Sequence, residues 1–330
     1  MADAICLGEL LIDFVPTVTG TGLTDAPAFI KAPGGAPGNV AVGLARLGVS
    51  SAFMGKVGDD AFGHFLASTL AESGVDVSPL VFSTEARTAL AFVSLRADGE
   101  REFMFYRHPS ADMLFNPREV DVEALHRAKL LHFGSISLIG EPSRSATLYA
   151  VDTARAAGCL ISYDPNLRLP LWADANAARE GMLLGLKKAH VVKLSDDESE
   201  FLTGISDLDA ARQALWHDDL KLMVVTRGRA GCVYFTPEFS GAVESFTVEA
   251  VDTTGAGDGF VAGLLQGLLT DPATLRDEAR LRELCRFANA VGALATTERG
   301  AIPALPNRER VRRFLESPQG SEPNQGSISV

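Results

Sequence analysis

Seven consecutive residues, Asp252-Thr253-Thr254-Gly255-Ala256-Gly257-Asp258, stand directly before a run with helical apolar spacing, Gly257–Leu269. Two glycines and an alanine permit a tight turn. Successive N–H groups at a helix N-terminus then converge on one point, which makes an anion hole by geometry and by dipole. Asp258, in the first turn, sits beside any anion held there. Its carboxylate can take a proton from a hydroxyl while the amides hold developing phosphoryl charge. The plain alternative is a dipole-favourable cap after a flexible loop; seven residues of this composition ahead of a helix favour the chemical account.

A second glycine-rich turn, Gly34-Gly35-Ala36-Pro37-Gly38-Asn39, opens a small-residue helix over Val40–Leu47 that Gly48 stops. Close backbone approach to a polar ligand explains the glycines, and Asn39 offers a donor and an acceptor to hydroxyls. A turn plus an N-cap explains them equally well. Asp13 closes the first predicted strand, Ala4–Val15, where open α/β sheets bind ligands beyond the carboxyl ends of strands; alone, it reads as a turn residue. Asp164-Pro165-Asn166-Leu167-Arg168 follows another strand end. The Arg168 fork suits phosphate or sugar oxygens, with a surface salt bridge as the simpler account. In Lys193-Leu194-Ser195-Asp196-Asp197-Glu198 a cation at a strand end precedes acids opening a helix. That is either a capped helix start or a place for ATP phosphates and Mg²⁺.

Other chemistries lack their residues. There is no G-x-x-x-x-G-K-[ST], since Gly55-Lys56 is followed by Val57, and no G-x-G-x-x-G follows the first strand, which weakens a dehydrogenase reading. The histidines show no H-E-x-x-H spacing, and no G-x-S-x-G marks an acyl-transfer nucleophile.

The elements that must position these residues follow a βαβ rhythm. Ser51–Val57 predicts a strand and Asp60–Glu72 a helix. Thr88–Arg96 and Arg101–Arg107 alternate about Asp98-Gly99 and predict a hairpin, apolar on both faces, with the active site covering one face and a partner subunit the other. Beyond residue 128, strands at Lys129–Ile136, Cys159–Tyr163, His190–Leu194 and Lys221–Thr226 alternate with helices at Pro142–Ala157, Asn176–Lys188 and Ala210–His217. This predicts a parallel sheet with helices on both faces. Cys232–Thr236 and Ser245–Val251 predict a late antiparallel edge, Ala279–Thr297 a helix, and 317–330 a disordered tail. The 330 residues, 46% of them apolar, can build a sizeable core, and a net charge of −12 disfavours nucleic-acid and membrane-surface roles. No run approaches membrane-spanning length, the first residues lack a basic signal-peptide region, and four scattered cysteines read as reduced and buried. The expectation is a cytoplasmic protein with no nucleic-acid or membrane partner.

With both glycine motifs, the sequence from about residue 4 to 316 resembles the ribokinase-like carbohydrate kinases, and among them the fructokinases. Gly34–Gly48 is similar to the family's first signature and Asp252–Asp258 to its second. Cys6–Pro16, Ala86–Phe92, Arg101–Arg107 with Ser110-Ala111-Asp112, Tyr163–Pro170 and Gly300–Pro306 are similar to fructokinase segments. The resemblance implies a three-layer α/β fold with a mostly parallel sheet, forming a single kinase domain over 1–316. It also implies a small β-sheet lid from about 14–33 and 88–108, and the hairpin's second apolar face predicts a homodimer through that lid. The substrates it implies are ATP and a small sugar, with Asp258 as the catalytic base and Gly255, Ala256 and Gly257 as the anion hole. Asp13, Gly34, Gly35, Asn39, Arg107 and Arg168 would contact sugar, Arg168 also the transferred phosphoryl. Lys193, Thr226, Gly228, Gly231, Gly257 and Asn289 would line the nucleotide. A monovalent cation (K⁺) would lie near Asp252, Thr254, Ala295, Glu298 and Gly300, and Mg²⁺ would be held mainly by ATP and water, with Glu198 as an optional ligand. Fructose 6-phosphate is the implied product. A 2-keto-3-deoxygluconate kinase is the alternative, because Arg107 and Arg168 suit an acid sugar while Asp13 suits a neutral one. A non-catalytic sugar- or nucleotide-binding regulator is the alternative of another class. Ser195 replaces the family's usual Asn in Asn-x-x-Glu, and Gly38 and Gly259 stand where relatives often carry alanine.

Overall fold

The computed structural model describes residues 2–18, 20–95 and 101–317. Its strands are β1 (Ala4–Leu7), β2 (Leu11–Pro16), β3 (Phe29–Gly34), β4 (Ser51–Gly58), β5 (Leu80–Ser83), β6 (Ala89–Leu95), β7 (Arg101–Tyr106), β8 (Leu130–Phe133), β9 (Leu160–Tyr163), β10 (Val191–Ser195), β11 (Leu222–Thr226), β12 (Cys232–Phe235) and β13 (Ser240–Val243). Its α-helices are α1 (Ala36–Arg46), α2 (Ala61–Glu72), α3 (Val122–Arg127), α4 (Ser143–Ala156), α5 (Ala175–Leu186), α6 (Asp196–Thr203), α7 (Leu208–Leu215), α8 (Ala256–Thr270), α9 (Glu278–Ala295), α10 (Ala301–Ala304) and α11 (Arg308–Glu316).

The larger sheet runs in the order β13-β12-β11-β10-β9-β8-β1-β4-β5, parallel from β11 to β5 and antiparallel at the β12-β13 edge. Its central strands are apolar on both sides because helices cover both. Ala4 and Cys6 join a cluster with Val40 of α1 and Leu264 of α8, whereas Ile5 and Leu7 join one with Val151 of α4 and Met182 of α5. Leu222 and Met223 divide in the same way. Side chains alternating between two covered faces are the mark of a buried parallel sheet. Among the described residues no helix is long and apolar enough to cross a membrane.

The sequence is corrected at its first strand. Ala4–Val15 is two strands in two sheets: β1 ends at Leu7, and β2 begins at Leu11 in a separate four-stranded sheet, β3-β2-β6-β7. β1 is buried throughout, while β2 has partly open positions from Asp13 onward. Only Gly8 and Glu9 interrupt the apolar run at the crossing, which hides it. Asp13 therefore lies within a lid strand, and Glu9 takes the place at the carboxyl end of β1.

The predicted hairpin forms β6 and β7, paired from Leu90↔Tyr106 to Leu95↔Arg101; residues 96–100, with the Asp98-Gly99 turn, and the tail 318–330 fall outside the described residues. Asp60 clamps this lid to the body. It caps α2 through Phe62 N and Gly63 N and accepts from Thr88 N at 2.9 Å and Thr88 Oγ1 at 2.8 Å, just ahead of β6.

Ser245–Val251 is a second correction: the edge strand is β13, and 245–251 is irregular. Asn289 Nδ2 donates to Val243 O and Glu244 O, and the Phe246 ring meets Phe314 at 5.1 Å. Its alternate apolar residues wall a cavity instead of facing a sheet. Helix α1 also starts at Ala36, ahead of the expected Val40, with Pro37 in its first turn, where a missing N–H costs nothing.

Candidate active site

Two cavities meet at the glycine loop that opens α8. One, of about 340 Å³, is lined by Thr226, Gly228, Gly231, Gly257 and Asn289, with Phe246, Val248 and Phe260 as apolar walls. The other, of about 250 Å³, is lined by Asp13, Asn39, Arg168, Lys193 and Asp258, with Val93, Phe103 and Phe105 of the lid above them. Thr253 and Gly257 line both. Gly255 makes the turn between them at φ 80°, and a Cβ there would lie 2.8 Å from that of Ala301. The helical ladder of α8 begins with Gly259 N on Gly255 O at 2.8 Å. Ahead of it Ala256 N turns back to Thr253 O at 3.3 Å, and the other first-turn amides, Gly257 and Asp258, stand at the positive end of the helix dipole where a ligand can take them.

Asp258 is buried in the first turn of α8. Its Oδ2 accepts from Asn39 Nδ2 at 2.8 Å, and its Oδ1 takes a longer 3.5 Å contact from Asn166 Nδ2. Burial pushes its pKa up to about 6; the Asn39 hydrogen bond opposes that rise, Asp164 adds to it, and Lys193 and Arg168 pull it down. A carboxylate poised near the working pH is ionised yet basic enough to accept a proton. Asn39 Oδ1 is buried and has no hydrogen-bond partner among the described residues, an open acceptor in a chamber suited to hydroxyls.

Asp13 points into the same chamber because position 34 has no side chain: a Cβ on Gly34 would lie 2.2 Å from Asp13 Oδ2. Its pKa is pushed up to about 7 by burial, with Arg168 lowering it and Asp252 and Asp258 raising it. Arg168 Nη1 donates to Asn166 Oδ1 at 2.8 Å, so Arg168, Asn166 and Asp258 form one chain of contacts. Lys193 Nζ pairs with Asp164 at 3.0 Å and comes within 3.2 Å of a Cβ built on Gly257. Burial disfavours its charge, but Asp164 and Glu198 outweigh burial and hold its pKa above the ordinary lysine value.

The arrangement is an acid beside an anion hole, between a chamber of hydroxyl-seeking groups and one with apolar walls. Sequence comparison agrees with that geometry. The family model described as pfkB family carbohydrate kinase matches residues 1–308. The chain belongs to this family. A probable fructokinase-4 of Arabidopsis thaliana is 57% identical over 313 residues, covering 94% of this chain and 96% of the relative. The structure of a fructokinase from Xylella fastidiosa with bound ATP superposes with a TM-score of 0.89 at 36% identity, covering 98% of this chain and 100% of that one. A double mutant of the Vibrio cholerae O395 fructokinase, with fructose, ADP and a potassium ion bound, gives a TM-score of 0.86 at 37% identity, covering 96% of this chain and 98% of that one. This pfkB family member has the ribokinase-like α/β fold and is an ATP-dependent carbohydrate kinase.

Within that kinase, Asp13, Gly35, Asn39, Arg168, Gly255, Gly257 and Asp258 all line the smaller chamber, and Thr226, Gly228, Gly231, Gly257 and Asn289 the apolar-walled one. Ala256 lines only the latter. Four expected residues are placed differently. Lys193 lines the smaller chamber, not the other, because Asp164 draws its ammonium across the neighbouring strand end. Arg107 is buried outside the chamber, with Nε donating to Asp112 Oδ2 at 2.9 Å and Nη2 at 2.5 Å. Gly34 acts by making room for Asp13. Glu198 completes a capping box on α6: Oε2 accepts from Ser195 N at 2.8 Å and Oε1 from Leu167 N at 2.7 Å, so both oxygens serve the backbone.

The loop expected to hold a cation is partly assembled by sequence-distant residues. Asp252 Oδ1 accepts from Thr254 N and Oγ1, and Oδ2 from Gly300 N at 3.0 Å. Ala295 ends α9, and the Glu298 side chain turns to Arg310 at 2.7 Å. Asp164, Asn166 and Glu9 are charged or amide residues of the chamber to which the sequence gave no site role. Asp164 follows β9 as Asp13 was thought to follow its strand, so the strand-end rule that singled out Asp13 applies to it directly. Glu9 Oε1 accepts from Ala36 N at 3.1 Å and supplies the side-chain cap that Gly35 lacks at α1.

Proposed function

We propose that this enzyme transfers the γ-phosphoryl group of ATP to fructose, giving fructose 6-phosphate and ADP. The observation that carries this reading is the convergence of Asp13, Asn39, Arg168 and Asp258 on one chamber that adjoins the glycine loop. Asp13 and the open Asn39 acceptor suit sugar hydroxyls. Asp258 takes the proton of the attacking hydroxyl as its oxygen bonds to the γ-phosphorus, and the bond from that phosphorus to the β-phosphate oxygen breaks. The 255–258 amides and the Arg168 fork stabilise charge on the phosphoryl group in transfer. Val93, Phe103 and Phe105 exclude water from above, which limits ATP hydrolysis. The nucleotide lies against the walls made by Phe246 and Phe260, with its phosphates toward Gly257.

Among the described residues no group of three or more His, Cys, Asp or Glu side chains is placed to hold a metal. Glu198 is committed to amides, and Mg²⁺ is read as part of the MgATP substrate, held by phosphates and water, with no step assigned to it. K⁺ fits the loop joined by Asp252 and Gly300 only through backbone oxygens, since the Asp252 carboxylate already accepts amide and hydroxyl hydrogens. Such an ion would stiffen the anion-hole backbone; equal activity in potassium- and sodium-free buffer would remove it.

The lid also supplies a surface for a homodimer of this cytoplasmic enzyme. Met104 and Tyr106, paired with Phe92 and Leu90, are 43% and 57% exposed on the side away from the chamber. Light scattering at micromolar concentration should give the dimer mass, and a monodisperse monomer would contradict it. A 2-keto-3-deoxygluconate kinase is the competing reading, favoured by Arg168 alone. Glu9, Asp13, Asp164 and Asp258 in the chamber weigh against an acid substrate. ATP turnover across fructose, glucose, ribose, adenosine and 2-keto-3-deoxygluconate decides between them: fructose should have the highest kcat/KM, and a higher value for the keto acid or ribose would replace this reading.

A further inference from the structure

At the opposite edge of the large sheet lies a cavity of about 820 Å³. The active site gathers at carboxyl ends of strands; this cavity forms where strands begin. Lys129, His190 and Lys221 immediately precede β8, β10 and β11, and Arg155 and Arg276 also line it, against a single lining acid, Glu238. In a chain of net charge −12, that is a local reversal of sign.

A simpler account is that these cations answer the negative C-terminal ends of α4, α5 and α8, which also reach this edge. It accounts for part of the set. Arg155 donates to Lys188 O at 2.5 Å and pairs with Asp219 at 2.7 Å, and Lys129 pairs with Asp3 at 2.8 Å. Lys221 and Arg276 have no ion pair among the described residues. His190 Nδ1 accepts from Ile161 N at 3.1 Å. Its pKa is lowered to about 4, chiefly by burial and then by the charges of Lys221 and Arg155. A neutral ring with its Nδ1 so engaged carries its proton on Nε2 and presents a donor. The remaining wall is apolar, made by Leu268, Leu269 and Leu275.

We propose that this cavity is a second ligand site, taking a small phosphomonoester whose anionic group meets Lys221, Arg276 and the His190 ring and whose apolar body rests on the leucine wall. Oxyanions are matched by Arg, Lys and ring N–H donors, and an apolar wall beside them selects an organic phosphate over a free one. Helix α8 carries Asp258 in its first turn and Leu268 and Leu269 in its last. The two sites are thus about 15 Å apart along one helix and can be separated experimentally.

The test is isothermal titration calorimetry on the full chain, with the active site filled by fructose and a non-hydrolysable ATP analogue. Phenyl phosphate should occupy one additional equivalent, at least tenfold more tightly than inorganic phosphate. Lys221→Glu combined with Arg276→Glu lies on the surface; it should weaken that binding at least tenfold while kcat, KM and Tm stay at wild-type values. No additional equivalent, unchanged affinity in the double variant, or inorganic phosphate binding as tightly as phenyl phosphate would each overturn the proposal.

Discussion

Asn39→Ala removes the one short side-chain hydrogen bond to Asp258, Nδ2 to Oδ2 at 2.8 Å, and nothing else near the base need move. A hydrogen bond to a buried ionised group is worth about 1.5–3 kcal/mol. At 1.36 kcal/mol per unit, its loss raises the carboxyl pKa by about one to two units. The Asp258 pKa begins at about 6, so the variant should ionise at about 7–8. Water entering the vacated space would replace part of the bond and favours the lower end. The assay is kcat/KM for sugar against pH at saturating ATP, whose acid limb reports the free enzyme's base. Wild type should lose activity as pH falls through about 6, and Asn39→Ala about one unit or more higher. Loss of the open Oδ1 acceptor also lowers kcat/KM, but by a pH-independent factor. A uniformly lowered profile with an unmoved acid limb would refute the coupling and leave Asn39 as a sugar contact only.

Three other perturbations follow from the same geometry. Gly34→Ala places a Cβ 2.2 Å from Asp13 Oδ2; an overpacking cost of about 1–3 kcal/mol should raise sugar KM roughly 5- to 150-fold, with ATP KM little changed, and steady-state kinetics checks it. Asp60→Ala removes both the α2 cap and the lid clamp, and should cost about 1–2 kcal/mol in urea unfolding at pH 7. The Asp60 pKa is lowered, burial being outweighed by hydrogen bonds from Thr88, Gly63 and Phe62, so its contribution is present above the unfolded value and fades as pH falls below 3.8 toward the folded one; a deficit that stays constant to pH 3 would contradict the clamp. Glu9 is pushed up from 4.5 to about 7 chiefly by burial, so it favours folding below 4.5 and that stability is lost as pH rises through 7. Glu9→Gln should therefore gain in Tm over wild type between pH 5 and 8, by at most about 3 kcal/mol in stability, and a gap that shrinks with pH would show the opposite sign.

Local pattern carried the body of the fold and both glycine loops. Alternating βαβ segments and small residues before a helix are short-range signals, so β8 to β11 and the start of α8 were legible, and most of the residues singled out around the two glycine loops line one chamber or the other. What escaped depends on where distant segments meet. Gly8 and Glu9 carry the chain between sheets and interrupt the apolar run for only two residues, so Asp13 was assigned to the wrong kind of strand. Arg107 looked available although its partner Asp112 is only five residues on, because the turn between them, which no strand pattern reveals, folds the carboxylate back onto the guanidinium. Ser245–Val251 alternates like a strand while lining a cavity. The Asn39–Asp258 bond joins residues 219 positions apart, beyond any periodicity. Asp164 with Lys193 was within reach, because adjacent parallel strands place their carboxyl ends side by side.

The role of Asp258 is the central claim, and Asp258→Asn tests it most directly. The amide keeps the size of the side chain and an acceptor for Asn39, but it cannot take the hydroxyl proton. As general base, Asp258 should account for about 10²–10⁴-fold in kcat, while fructose and ATP binding measured by calorimetry change far less, because ground-state contacts persist. Thermal unfolding confirms that the variant is folded before its rate is interpreted. A folded Asp258→Asn that binds both substrates and keeps more than about a tenth of the wild-type kcat, short of the range for a general base, would contradict the assignment and return Asp258 to the role of a helix cap.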